Sequence, residues 1–255
     1  MSDDQAAQRP SREPAAQPTI DIRGLTFSYP GASAPVFANL SLAIPGAARC
    51  LLLGANGVGK STLLRLVAGR HLIHPDLVRV LRRPAFQDTS LAGEVAFLGG
   101  PFPFSADVRV AEILAARTGV DPARRARVLE ILEVDPAWRM HQVPDGQRRR
   151  VQLLLDLERR LRVILLDEVT AELDVLARAD LLAFLRQESE AAGTTIVYAS
   201  HVLEGLAAWA SHLIFLSPGR VRCCAPIADV LPAGDSLLAL CEGWMREDRG
   251  SRTRS

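Results

Sequence analysis

The sequence contains a single lysine. Lysine and arginine together number 30 of the 255 residues, and every one except Lys60 is an arginine. The formal net charge is only +1, and no block of like charge is long enough to indicate a nucleic-acid-binding tail. No apolar run reaches the roughly 18 residues that a membrane-spanning helix requires. These absences argue against direct nucleic-acid binding and against a chain that crosses a bilayer.

Cysteine is also scarce, which argues against a disulfide framework. The sequence has four cysteines and none in a Cys-x-x-Cys spacing: Cys50, Cys223, Cys224 and Cys241. We therefore expect free thiols in a cytoplasmic protein, with a nuclear location left open. His71 and His74 are spaced like a metal-binding pair, but no third ligand accompanies them, so zinc is not expected.

The two ends differ in composition from the middle. Residues 1–17 are polar, acidic and dotted with proline, which predicts a disordered leader rather than a signal peptide. Residues 236–255 are expected to form a helix followed by a basic tail. Residues 18–235 are long enough for one α/β domain with a sizeable core. Within that domain, residues 101–142 show helical apolar spacing and predict a small helical insert.

A glycine-rich loop follows the short apolar strand at residues 50–53 and precedes a leucine-rich helix. The loop, GANGVGKST, fits the P-loop pattern G-x-x-x-x-G-K-[ST] in its strand–loop–helix setting. Its glycines allow backbone N–H groups to face a phosphate at a helix N-terminus. Lys60 supplies a point charge and Ser61 a hydroxyl for Mg²⁺. The predicted nucleotide-binding residues of the loop are Gly54, Asn56, Gly57, Val58, Gly59, Lys60, Ser61 and Thr62.

The lone lysine strengthens this interpretation. A glycine-rich turn that binds nothing would have no need of it. A planar guanidinium cannot replace a compact ammonium inside a tight phosphate cradle. A chain that uses arginine everywhere except at position 60 is therefore predicted to bind a nucleotide there.

Two further strands end in residues that suit phosphate chemistry. The apolar run RVILL leads into Asp167 and Glu168, and ligands of open α/β sheets bind at such strand ends. Asp167 is predicted to hold Mg²⁺ through water, and Glu168 to orient the attacking water. The run TTIVYAS ends at His201, and a lone histidine is more often structural. Its place at the same sheet edge predicts a contact with the γ-phosphate, which gives Lys60, Glu168 and His201 as catalytic residues.

The order and spacing of these motifs resemble the ATP-binding cassette (ABC) ATPases over roughly residues 18–230. The resemblance implies an α/β P-loop fold with a mostly parallel sheet, an antiparallel β subdomain and a small helical insert. It also implies that two cassettes clamp two ATP molecules between the P-loop of one and the signature of the other. Tyr29 matches the residue that stacks on adenine, and Asp174 matches a loop that crosses the dimer interface. A homodimer and a heterodimer with another cassette both remain open.

The signature itself departs from the family. Where members usually read Leu-Ser-Gly-Gly-Gln, residues 143–147 read Val-Pro-Asp-Gly-Gln. Asp145, Gly146 and Gln147 are still predicted to meet the partner's nucleotide. Pro144 lacks the serine hydroxyl, whose hydrogen bond is worth roughly 1.5–3 kcal/mol per site, so slow turnover is expected.

The start of the signature helix supports two interpretations. Asp145 is a favourable N-cap residue. It either competes with the incoming phosphate for the helix N–H groups or is merely a good cap beside a working site. The arginines at 148–150 are expected to form a solvated helix face rather than a nucleic-acid site.

A second departure bears on the biological role. Gly100 stands where family members have a glutamine that contacts Mg²⁺ and adjoins the docking surface of a membrane subunit, which disfavours transport. The strings DPAWRMHQVPDGQRRRVQL and LLDEVTAELDVLARADLLAFL resemble soluble ABC ATPases associated with the fungal Not transcription-regulatory complex and their short plant relatives. The resemblance implies an Mg²⁺-ATP-hydrolysing regulatory ATPase. The alternatives are the ATPase subunit of a transporter and an ATP-gated binding module with little turnover.

Overall fold

The structure is a computed structural model. It describes residues 17–100, 107–169, 173–201, 203, 205–231 and 235–252, with residues 251 and 252 described by their backbone alone. The strands are β1 Ile20–Phe27, β2 Phe37–Ile44, β3 Arg49–Gly54, β4 Val78–Val80, β5 Arg83–Pro84, β6 Val95–Leu98, β7 Val163–Asp167, β8 Thr195–Ala199, β9 His212–Ser217 and β10 Arg220–Pro226.

Helices occupy about half of the rest of the described chain. The α-helices are α1 Lys60–Val67, α2 Val110–Ala115, α3 Pro122–Ile131, α4 Asp145–Leu157, α5 Val175–Ala192, α6 Leu206–Trp209, α7 Ile227–Val230 and α8 Leu237–Arg252, and a 3₁₀ helix covers Thr89–Gly93. Among these described residues, none of the helices combines the length and the apolar character that crossing a bilayer requires.

The larger sheet has six strands in the order β10-β9-β3-β8-β7-β6. Strands β9, β3, β8, β7 and β6 run parallel, and β10 pairs antiparallel with β9 at one edge. In a parallel sheet the carboxyl ends of the strands meet at one edge. This edge therefore brings together the end of β3, where the P-loop begins, and the ends of β7 and β8.

Both faces of this sheet are covered, which explains the continuous apolar runs in its strands. Successive side chains of a strand point to opposite faces. In β3, Leu51 and Leu53 pack into a core with α4, α5 and α8, whereas Cys50 and Leu52 pack into a second core. That second core contains α1 and the smaller sheet, so the P-loop helix is fixed between two β layers.

The smaller sheet has four strands in the order β2-β1-β4-β5, all paired antiparallel. It matches the predicted antiparallel subdomain. Its β1 and β2 residues Ile20, Ile22 and Leu40 are at most 1% exposed and pack beneath the P-loop helix. The turn between β1 and β2 carries Tyr29 toward the P-loop.

Helices α2 and α3 lie between β6 and β7, within the range predicted for the helical insert. Residues 101–106 of that range lie outside the described part of the chain, as do residues 1–16 of the predicted leader. Arg124 of α3 forms two hydrogen bonds with Glu188 of α5, at 2.7 and 2.9 Å. Arg117 and Arg125 both bind the fully buried Glu158. Paired charges thus fasten the inserted helices to α5 and to the end of α4.

Candidate functional site

The P-loop backbone takes the shape that its glycines allow. Gly54 has φ +147° and Gly59 has φ +108°, both in the region that favours glycine. A Cβ on Gly54 would lie 2.4 Å from the backbone oxygen of Leu216, and one on Gly59 would lie 2.8 Å from side-chain atoms of Val36 and Phe37. The loop can take this shape because Gly54 and Gly59 have no side chains.

Lys60 begins α1 and turns back into the loop. Its Nζ donates hydrogen bonds to the carbonyl oxygens of Gly54, at 2.9 Å, and Ala55, at 3.2 Å. Burial lowers the pKa of the ammonium, and the charges of Glu168 and Asp167 oppose that shift. Lys60 as a whole residue is only 9% exposed, and its ammonium lies within the loop, where a mobile positive charge can meet a phosphate.

Two oxygen ligands for a hard cation meet beside Lys60. The hydroxyl of Ser61 donates a hydrogen bond of 3.0 Å to Oδ1 of Asp167. Ser61 is the second residue of α1 and Asp167 is the last residue of β7, so the packing of α1 against β7 brings them together. Mg²⁺ prefers oxygen ligands from a few protein groups together with substrate phosphates. The donor set therefore fits this cation.

Glu168 and His201 face each other next to the loop. His201 Nδ1 lies 3.3 Å from Oε1 of Glu168, and both side chains are about half exposed. Glu168 has φ +54°, and its N–H donates to the carbonyl of Ala199 at the end of β8. A left-handed backbone at a residue other than glycine is strained and is often found at functional sites. The strain aims the carboxylate into the cleft.

Tyr29 forms one wall of the cleft. Its hydroxyl shares a 3.1 Å hydrogen bond with the hydroxyl of Thr62, and its ring meets His71 edge to face at 5.5 Å between centroids. Phe27 packs against both rings. His71 therefore supports Tyr29 rather than pairing with His74, and a ring held in this way suits stacking on a flat base.

These side chains line one cleft of about 570 Å³. That volume is in the range of small-molecule sites. Ten residues line it: Tyr29, Val36, Asn56, Gly57, Gly59, Lys60, Ser61, Thr62, Glu168 and His201. Val36 is the member that the sequence motifs do not indicate, and it lies directly before β2. Gly54, Val58 and Asp167 lie directly behind this lining or bond to it.

The signature residues are not part of this cleft. Asp145, Gly146 and Gln147 form the first turn of α4 and are not among the residues that line the cleft. The prediction that Asp145 caps this helix is wrong. Pro144 occupies the N-cap position with no side-chain hydrogen bond, and Asp145 lies within the first turn, where its Oδ1 accepts from Arg148 at 3.0 Å. The helix begins one residue earlier than expected because the extended backbone of proline suits a helix entry.

Asp174 also lies outside the cleft, at the start of α5. Its Oδ1 caps the helix by accepting from the N–H groups of Leu176, at 2.9 Å, and Ala177, at 3.0 Å. Its Oδ2 faces Arg150 of α4 at 3.2 Å. The N–H of Ala177 is the largest cause of the lowered pKa of Asp174, and Arg150 contributes in the same direction. Asp174 thus contacts the signature helix of its own chain.

The expectation of a solvated arginine face at residues 148–150 is wrong as well. Arg148 bonds Asp145 and the carbonyl of Val143, and Arg149 donates to the carbonyl of Gly100 at 2.8 Å. The side chain of Arg150 is 15% exposed and that of Arg148 is 24% exposed. Arg148 binds groups three and five residues away, whereas the partners of Arg150 are at least 17 residues away.

The sequence also has clear relatives. A family model described as ABC transporter matches residues 37–171. The chain is 40% identical over 252 residues to ABC transporter I family member 20 of Arabidopsis thaliana, covering 91% of this chain and 77% of that protein. It is 37% identical over 226 residues to CCR4-associated factor 16 of Saccharomyces cerevisiae, covering 81% of this chain and 78% of that protein.

Solved structures share the fold. One of them is described as the dimeric structure of a post-hydrolysis state of the ATP-binding cassette MJ0796 bound to ADP and Pi. The match has a TM-score of 0.69 at 19% identity and covers 82% of this chain and 98% of that one. At this identity the likeness establishes the architecture alone.

Proposed function

The chain belongs to the ABC transporter family, and we propose that it binds Mg²⁺-ATP in the P-loop cleft and hydrolyses it as a nucleotide-sandwich dimer in a regulatory role. The observation that carries this proposal is the convergence of five groups at one sheet edge: the ammonium of Lys60, the Ser61–Asp167 oxygen pair and the Glu168–His201 pair. They come from three separate points of the sequence, residues 60–61, 167–168 and 201, and the fold brings them together.

The chemistry follows from the placement of these groups. Lys60 and the N–H groups of the loop bind the phosphate charge, and Ser61 and Asp167 hold the cation. When bound, Mg²⁺ neutralises charge that develops on the phosphate oxygens. The Glu168 carboxylate orients the attacking water, and His201 contacts the γ-phosphate from the next strand end. Catalysis by such a site is mainly positioning and electrostatic stabilisation.

A dimer is supported by what the cleft lacks. Among the described residues that line the cleft, none belongs to the signature, so residues 143–147 of the same chain do not cover a phosphate bound there. A second copy, or another cassette, would supply them. The expected turnover is slow because Pro144 offers no hydroxyl to the partner's phosphate, a bond worth roughly 1.5–3 kcal/mol.

A regulatory role is supported by two observations. Gly100, at the end of β6, has φ +77° and no side chain to offer to a cation or to a docked membrane subunit. The similarity to CCR4-associated factor 16 extends over most of both chains. The rival function is an ATP-gated binding module, which the loss of the signature serine favours.

The experiment is steady-state Mg²⁺-ATP hydrolysis by the purified full chain, with Glu168→Gln as the blank. We expect wild-type turnover clearly above the blank. Glu190→Gln, a change at an exposed acid near the far end of α5, is the matched control and should retain the wild-type rate. A wild-type rate equal to the blank, with ATP still bound, would replace hydrolysis with the binding-module function.

A further inference from the structure

Arg150 joins three parts of the chain through one guanidinium group. Nη1 binds the carboxylate of Glu133 and, at 3.4 Å, the carbonyl of Leu132. Nη2 binds Oδ2 of Asp174 at 3.2 Å. Leu132 and Glu133 directly follow helix α3 of the insert, and Asp174 is the N-cap residue of α5. Arg150 itself lies on α4, which begins with the signature residues.

In the proposed dimer each nucleotide lies between two half-sites, the P-loop of one chain and the signature helix of the other. The three parts that Arg150 joins hold that signature helix in place. Asp174 caps the start of α5 with Oδ1 and faces Arg150 of the signature helix with Oδ2. The signature residues begin the helix on which Arg150 lies. We infer that Arg150 is a positioning residue that fixes the signature helix relative to the end of α3 and the start of α5. This inference rests on the proposed ATPase function and deepens it.

The geometry of an arginine is needed for this role. A guanidinium presents its donors in a planar fork and can bind two carboxylates and a carbonyl at once. A lysine has one nitrogen on a flexible stem and cannot hold three separate acceptors in fixed directions. The backbone of Glu133 has φ +48°, a strained value that is kept at the point where Arg150 binds it.

Arg150 does not act by contact with the nucleotide of its own chain, because it is not among the residues that line the P-loop cleft. The inference therefore predicts a split in the kinetics. Replacing Arg150 should leave the KM for ATP unchanged and lower kcat by about tenfold or more, since small misplacement of catalytic groups has effects of this size.

The test measures kcat, KM and the melting temperature of the full chain carrying Arg150→Gln, Arg150→Lys and Asp174→Asn. The carboxylates of Glu133 and Asp174 are 61% and 54% exposed, so water can hydrate them when Arg150 is replaced, and the fold should survive. Asp174→Asn retains an oxygen for capping α5 and removes only the charge that Arg150 binds.

A matched control uses another bridging arginine. Arg222 on β10 is 25% exposed and binds Glu247, with Asp248 at 3.8 Å, and it is not among the residues that line the P-loop cleft. Arg222→Gln should leave kcat at the wild-type value. Arg150→Gln, Arg150→Lys and Asp174→Asn should all lower kcat at constant KM. The double variant Arg150→Gln with Asp174→Asn should be no slower than the slower single variant, because the two changes break one interaction.

Three results would overturn the inference while leaving the ATPase function intact. The first is wild-type turnover above the Glu168→Gln blank with an unchanged kcat in Arg150→Gln. The second is a loss of rate in Arg150→Gln with none in Asp174→Asn, which would mean that Arg150 contacts the partner's nucleotide directly. The third is a loss of rate in proportion to a fall in melting temperature. A wild-type rate equal to the blank would overturn the proposed function, and the inference with it.

Discussion

The N-terminus of α4 can be stabilised by a cap within its own chain, and it can contact the nucleotide of a partner chain. Replacing Pro144 with serine allows these two effects to be measured separately. Pro144 is the N-cap residue of α4, with φ −58° and ψ 160°, and no side chain caps the helix. A serine adopts these angles without strain, since they belong to the extended region. Pro144→Ser therefore adds a hydroxyl at a helix start whose N–H groups have no side-chain partner.

We expect Pro144→Ser to increase both the free energy of unfolding and the strength of dimerisation, by different amounts. Within one chain, a serine N-cap should raise the free energy of unfolding by about 1 kcal/mol. Across a dimer, the hydroxyl should donate to the partner's phosphate, worth roughly 1.5–3 kcal/mol per site. A hydroxyl can accept and donate at the same time, so both gains apply together. Two sites give roughly 3–6 kcal/mol, or a dimerisation constant about 10²- to 10⁴-fold larger.

The assay is sedimentation equilibrium with ATP in the Glu168→Gln background, together with urea unfolding of the nucleotide-free chain. Pro144→Ala is the control, because it removes the proline and supplies no hydroxyl. Tighter ATP-dependent dimerisation in the serine variant alone is expected. If the serine variant is more stable but dimerises no more tightly than the alanine variant, residues 143–147 do not meet the partner's nucleotide.

Two further predictions concern the way charges are buried. Arg124→Met should lower the free energy of unfolding by about 3–5 kcal/mol, because Glu188 is only 12% exposed and would remain unpaired. Adding Glu188→Leu should recover most of that loss in urea unfolding, and a double variant as unstable as the single one would contradict the argument. Burial raises the pKa of Asp156, although several arginines oppose the shift. Because that pKa is raised, the stability from the protonated acid is present below the unfolded pKa of about 4 and is lost as the pH rises through the folded value. Asp156→Asn should therefore raise the melting temperature at about pH 8 and not at about pH 3. A variant that is less stable at both values would show that attraction by the arginines exceeds the cost of burial.

The sequence predicted the fold well because the decisive signals are local. Each signal lies within about ten residues: the alternation of a strand, the glycines that a P-loop requires, or an apolar run that ends in acids. The comparisons confirm the fold class and the family. That Glu168 and His201 face each other followed from strand ends sharing one edge. Their roles toward ATP stay predictions.

The sequence did not predict contacts between residues that are far apart in the chain, and it did not predict the residue at which α4 begins. Whether Pro144 or Asp145 caps α4 is decided by the backbone entering the helix, which composition does not encode. The partners of Arg150 are 17 and 24 residues away, and a run of three arginines carries no sign of which acids will meet it. The support of Tyr29 by His71 likewise depends on how β1 meets the end of α1.

A chain whose only lysine lies in its nucleotide cleft has a single side-chain amine to offer a reagent. Burial lowers the pKa of that amine and so enlarges its neutral, nucleophilic fraction, while its position in the loop restricts access. A bound phosphate would both shield the nitrogen and hold its proton. Acylation of the Lys60 amine, followed by mass spectrometry of the peptide that contains it, would therefore report the fraction of clefts that hold a nucleotide. No other side chain would contribute to the signal.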